Sequence, residues 1–139
     1  MLLLPVLLLL AAAGARADVR VQAHGADPLV RLAAAEIAKY ARAVAGPPAP
    51  AAPVVHVGTR DALAAALGAQ PPLPAHADAH RVASLGPGRV VCAGASPRAA
   101  LYAAYTFVER VYGQLNGENN KAERGGGCMA GGKQGRWRR

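Results

Sequence analysis

Residues 88–113 read GRVVCAGASPRAALYAAYTFVERVYG, and this stretch decides the fold. It begins with Arg89-Val90-Val91-Cys92-Ala93, a short, largely apolar run of the kind that forms a buried strand. Gly94 and Ala95 interrupt it. Ser96-Pro97 then supplies a helix N-cap and a proline whose fixed φ suits the first helical turn. Leu101, Ala104, Tyr105, Val108, Val111 and Tyr112 recur at helical spacing, which predicts one apolar stripe ending at Gly113. A strand feeding directly into an amphipathic helix needs further strands beside it and a second helix over them.

The residues upstream supply both. His80-Arg81-Val82-Ala83-Ser84-Leu85 is a second strand-like run, separated from the first by Gly86-Pro87-Gly88, and the pair reads as a hairpin. Val54-Val55-His56-Val57-Gly58 is a short apolar strand suited to a buried sheet position. Thr59 caps a short helix through Leu67, which Gly68 stops. Residues 69–77, with Pro71, Pro72 and Pro74, read as a loop.

Further back, Asp27-Pro28 repeats the cap-and-proline pattern. Leu29, Val30, Ala33, Ala34, Ile37, Tyr40, Ala41 and Val44 mark the apolar side of a long helix that also carries Arg31, Glu36, Lys39 and Arg42. Gly46 ends it, and a proline-rich linker follows to Pro53. Val19-Arg20-Val21-Gln22-Ala23 alternates with period two, as a half-buried strand does. The predicted order is β-α-β-α-β-β-α over residues 18–113. It makes an α+β, two-layer sandwich in which a small mixed sheet is covered by two main helices.

Both ends of the chain read differently from this middle. Met1 to Ala13 is apolar, too short for a membrane span, and leads to Ala15-Arg16-Ala17, an A-x-A cleavage pattern. Residues 1–17 are therefore expected to be a signal peptide, and the protein to be secreted with no membrane span. Residues 114–139 contain seven glycines and no hydrophobic period, which predicts a disordered Gly/Arg-rich tail. The formal net charge is +8, a balance that usually points to an anionic partner. Six basic and two acidic residues of that balance lie in the tail, whereas residues 18–113 hold nine basic and six acidic. With export expected, nucleic acid is not the expected partner.

The quoted stretch resembles the accessory N-terminal domain that precedes the catalytic barrel of α-glucuronidases. Related domains precede the barrels of β-N-acetylhexosaminidases and α-N-acetylglucosaminidases. The family pattern is a strand, then Gly-x-Ser/Thr-Pro-Arg-Gly, then Leu-Tyr-Gly-x-Tyr-x-Phe-Leu-Glu, ending near a glycine. This chain supplies Gly94, Ser96, Pro97, Arg98, Leu101, Tyr102, Tyr105, Phe107, Glu109 and Gly113, and departs at Ala99 and Ala103, where glycine is frequent. Residues 33–40 resemble the family's first helix and residues 54–59 the end of its Ile-Val-Val-Gly-Thr strand.

The resemblance implies a small domain that packs on a barrel and holds no catalytic residue. Glycoside hydrolysis needs two carboxyl groups across the scissile bond, and the barrel supplies them in the relatives. After Gly113 the chain leaves the family pattern. We therefore expect the tail to come from a truncated, frame-shifted or mis-spliced reading of a longer coding sequence.

Other chemical patterns are weak, and no catalytic, cofactor-binding or metal residue is assigned. Gly127 to Lys133 matches part of a phosphate-binding loop, but Gln134 stands where magnesium needs Ser or Thr. His76 and His80 are four apart in a loop with no third ligand. Cys92 reads as core packing, and Cys128 could pair with it or with another chain. Tyr102 and Tyr105 read as core or interdomain packing rather than a sugar platform, and Arg98, in the first turn of the last helix, could equally contact a neighbouring domain.

Two functional expectations follow. The leading one is a noncatalytic accessory domain of a secreted carbohydrate-active hydrolase, with the catalytic barrel or carbohydrate as its partner. The second is a stand-alone secreted module that binds anionic polysaccharide through its sheet or its basic tail.

Overall fold

The computed structural model describes residues 18–68, 70 and 72–113. The expected leader over residues 1–17 and the expected tail over 114–139 lie outside the described residues, as do the partial phosphate-loop match and Cys128. In chain order the elements are β1 (Arg20–His24), α1 (Pro28–Ala45), β2 (Val54–Thr59), α2 (Arg60–Leu67), β3 (His80–Gly86), β4 (Arg89–Gly94) and α3 (Pro97–Val108). A π-helical turn over Glu109–Gly113 continues α3.

The predicted caps form. Asp27 accepts from the Leu29 amide ahead of α1, Thr59 from Ala62 ahead of α2, and Ser96 from Ala99 ahead of α3. Each satisfies an amide that a helix start leaves without an intrahelical partner. Gly46 and Gly68 end α1 and α2 at φ of 77° and 89°, where a side chain is strained. The turn between β3 and β4 uses Pro87 and Gly88, with Gly88 at φ 69°.

The four strands lie in the order β1-β2-β4-β3. β1, β2 and β4 are parallel, and β3 is antiparallel to β4 at the edge. The sheet is mixed and the class is α+β, as read from the sequence. Strand bounds shift slightly: β1 runs to His24 and β2 includes Thr59, one residue beyond each expected end.

Alternation along the strands sorts the side chains into two layers. Val55, Val57, Val90 and Cys92 face α1 and α3, where they meet Ile37, Phe107, Val108 and Tyr112 in the main core. Val91 and Ala93 point the other way and pack with Leu63 and Leu67 of α2 and with Ala83 and Leu85. The short helix thus covers part of the second face, on the side opposite the two main helices.

The stripe on α3 is centred differently from the sequence expectation. Its buried residues are Ala99, Ala100, Ala103, Ala104, Phe107 and Val108, while Tyr105 is 45% exposed and Tyr102 is exposed too. The reason is close approach. A Cβ built on Gly94 would run into the backbone of Ala99 and Ala100. The helix start rests directly on the strand end, so the inward side holds alanines and the tyrosine rings turn out. Neither tyrosine joins the core.

Candidate functional site

The C-terminal ends of the parallel strands, the start of β3 and the N-termini of all three helices meet at one end of the sheet. Open α/β sheets usually bind ligands there. In this protein the polar side chains at that end hold the chain to itself. Ser96 Oγ donates to the Ala77 carbonyl at 2.7 Å while accepting from Ala99 N at 3.2 Å. Arg98 donates from Nη2 and Nε to Asp78 Oδ1 at 2.7 and 3.0 Å. His80 Nδ1 lies 3.0 Å from the Asp78 carbonyl oxygen, and its Nε2 lies 3.4 Å from Thr106 Oγ1. The Tyr102 ring stands edge-on to His80, with centroids 6.0 Å apart.

These groups form a latch that fastens residues 76–80 onto the first three turns of α3. Arg98 therefore has a partner inside the domain, the Asp78 carboxylate. His80 is committed to the latch. Among the described residues no group of three or more His, Cys, Asp and Glu side chains is placed to hold a metal.

Each described carboxylate outside the π-helical turn has a local task. Asp18 is buried and accepts from Ala49 N at 3.0 Å, and its charge helps push the Tyr112 phenol up, mainly an effect of burial. Asp27 is a cap. Glu36 is 3.9 Å from Lys39, Asp61 is 3.6 Å from Arg60, and Asp78 holds Arg98. Cys92 is fully buried, and burial raises its thiol well above the ordinary range, which suits packing and opposes nucleophilic chemistry.

The second face of the sheet holds a pair that sequence reading missed. His24 Nε2 and His56 Nδ1 lie 2.9 Å apart, one nitrogen donating and the other accepting. Gln22 pairs in register with His56, and His24 with Gly58, so all three side chains project from the face away from α1 and α3. Gly58 has to be small here, because a Cβ would sit 2.9 Å from the His24 carbonyl oxygen. Burial lowers the pKa of both imidazoles, and His56 is lowered further by the charges of His24 and Arg89. No local signal announces the pair: His24 lies one residue past the alternating run 19–23, and His56 sits within an apolar run. Their meeting depends on the register between β1 and β2, which neither strand encodes alone.

Arg20 and Arg89 stand at the same level of this face, on either side of Val54. None of the four strands carries an acidic residue or a Phe, Tyr or Trp.

The outer side of the two main helices is apolar in part. Leu29, Leu32, Tyr40 and Val44 are exposed along one edge of α1, with Leu32 at 44%, and Tyr102 and Tyr105 are exposed on α3. The opposite edge of α1 borders β1 at a shallow cleft of about 230 Å³ lined by Val19, Val21, Ala38, Arg42 and Pro48 among others. No helix among the described residues is long and apolar enough to cross a membrane. No protein-family model matches the chain, and no curated protein matches it.

Proposed function

We propose that the domain is a noncatalytic accessory domain of a secreted carbohydrate-active hydrolase, of the kind that packs against a catalytic barrel. The observation that carries the reading is the exposure of large apolar and aromatic side chains on both main helices, Leu29, Leu32, Tyr40 and Val44 on α1 and Tyr102 and Tyr105 on α3. Large side chains on the outer surface of a small domain are what an interdomain contact requires. The motif positions support the same reading through their local roles. Gly94 permits the helix to touch the strand, Ser96 caps it, and Ala99 and Ala103 are the small residues that the contact demands. The carboxylates described above serve as caps and ion partners, an arrangement suited to a scaffold.

The test is enzymatic and hydrodynamic. The purified chain should not turn over aryl glucuronides or aryl N-acetylglucosaminides, and sedimentation should show self-association that Leu32→Lys with Tyr105→Lys suppresses. Hydrolysis that survives stringent purification overturns the proposal, as does a parent chain that stays monomeric at high concentration. Reading the genomic sequence beyond the Gly113 codon in three frames adds an independent check, since a barrel with paired carboxylates is the expected neighbour.

A further inference from the structure

The second face of the sheet is only partly covered. Leu63 and Leu67 of α2 close the end where Val91, Ala93, Ala83 and Leu85 gather. The remaining part carries Arg20, Gln22 and His24 from β1, His56 from β2 and Arg89 from β4. Arg20 donates its Nε–H to the Ala52 carbonyl at 3.2 Å, and its terminal amino groups have no hydrogen-bond partner among the described residues. The Arg89 residue is exposed, and its side chain has neither a hydrogen bond nor an ion pair among them. No strand contributes a carboxylate.

We propose that this face, through Arg20, Gln22, His24 and Arg89, binds a polysaccharide bearing carboxylate or sulfate groups, with the buried His56 holding His24 through their hydrogen bond. The charge pattern selects the partner. Arg20 and Arg89 flank β2, which sets their Cα atoms about 9.5 Å apart. On that spacing the two guanidinium groups can take successive charges along an anionic chain. Single-stranded nucleic acid is bound mainly through Phe, Tyr and Trp platforms for base stacking, and the four strands carry none of these three. The proposal holds whether or not a catalytic domain accompanies this one.

The histidine pair gives the face a dependence on pH. A hydrogen bond between two imidazoles requires one of them to be neutral, because a doubly protonated pair has a proton on each facing nitrogen. The charged groups on the surrounding elements are Arg20 on β1, Arg89 on β4, Arg81 on β3, and Arg60 with Asp61 on α2. Arg81 donates to the Pro72 carbonyl, and Arg60 pairs with Asp61. The net field is cationic, so a bound anion favours uptake of the second proton and its own affinity rises on acidification.

The experiment measures binding of a size-defined heparin oligosaccharide and a polygalacturonate oligomer to the full chain at low salt. Arg20→Gln with Arg89→Gln is expected to weaken binding by about tenfold or more, with an unchanged circular dichroism melt. Arg31→Gln with Arg42→Gln, on the helix side, is expected to change it by no more than about twofold. Lowering the pH from about 8 to about 5.5 should tighten binding to the parent, and His24→Gln should flatten that response. The proposal is overturned if the sheet variant binds as tightly as the parent, or if the helix variant loses as much, since basic charge anywhere then suffices. A single-stranded DNA of equal charge that binds more tightly than heparin also overturns it.

Discussion

Replacing Gly94 by alanine tests the contact on which the main layer rests. The added Cβ would stand 2.7 Å from Ala100 Cα and closer still to Ala100 N and the Ala99 carbonyl carbon. Ordinary carbon contacts lie at about 3.5–4.0 Å, so the start of α3 must retreat by about 1 Å. The obstacles are backbone atoms, and no rotamer change relieves them. A retreat would pull Ser96 from its hydrogen bonds to Ala77 and Ala99, and would open a gap under Ala99, Ala100 and Ala103. Overpacking alone costs about 1–3 kcal/mol, and a lost cap adds about 1 kcal/mol. The expected loss is about 2–4 kcal/mol, a large share of the roughly 5–15 kcal/mol that a domain has. For a domain of this size that lowers Tm by about 8 °C or more. Urea unfolding followed by circular dichroism measures it. Gly113→Ala is the control, because its Cβ meets only Glu109 Cγ at 3.9 Å, and it should stay within about 0.5 kcal/mol of the parent. A Gly94→Ala midpoint inside that same window would refute the argument.

Phe107→Ala should cost about 3–5 kcal/mol by the same assay, because the ring is almost fully buried, whereas Tyr105→Ala on the outer side should cost under about 1 kcal/mol. Ser96→Ala removes the α3 cap and the bond to Ala77 and should cost about 1–2 kcal/mol. The folded-state pKa values of His24 and His56 lie below the ordinary 6.5. The unfolded chain therefore binds protons more readily, and stability should be full above about pH 6.5 and fall as the pH drops through the folded values. Thermal melts at a series of pH values should show that loss, and the double variant His24→Gln with His56→Gln should reduce it.

The local signals in the sequence were strong because they act over a few residues. Asp27-Pro28, Thr59 and Ser96-Pro97 fix helix starts through hydrogen bonds to their own next turn, and Gly46 and Gly68 end helices through backbone freedom. What depended on distant partners was harder to read. The apolar stripe of α3 was placed through Tyr105 because large rings usually go inward, yet the Gly94 contact demands alanines at that depth. The His24–His56 pair needs the register of two parallel strands separated by a whole helix. Asp78 lies 20 residues before Arg98, and only the turn of the hairpin brings them together.

The position of β4 also bears on how the chain finds its structure. β4 pairs on one side with β3, reached through a two-residue turn, and on the other with β2, where Val54 meets Arg89. The first pairing closes a short loop and the second a long one, so the first carries the smaller entropy cost. The hairpin and α3 together form a contiguous unit over residues 80–113 that is able to order before the N-terminal half docks. Shortening Val91 should then slow refolding, while shortening Val55 should mainly hasten unfolding. The strand at the centre of the finished sheet is thus the template on which the older half of the chain, first to be synthesised, is last to settle.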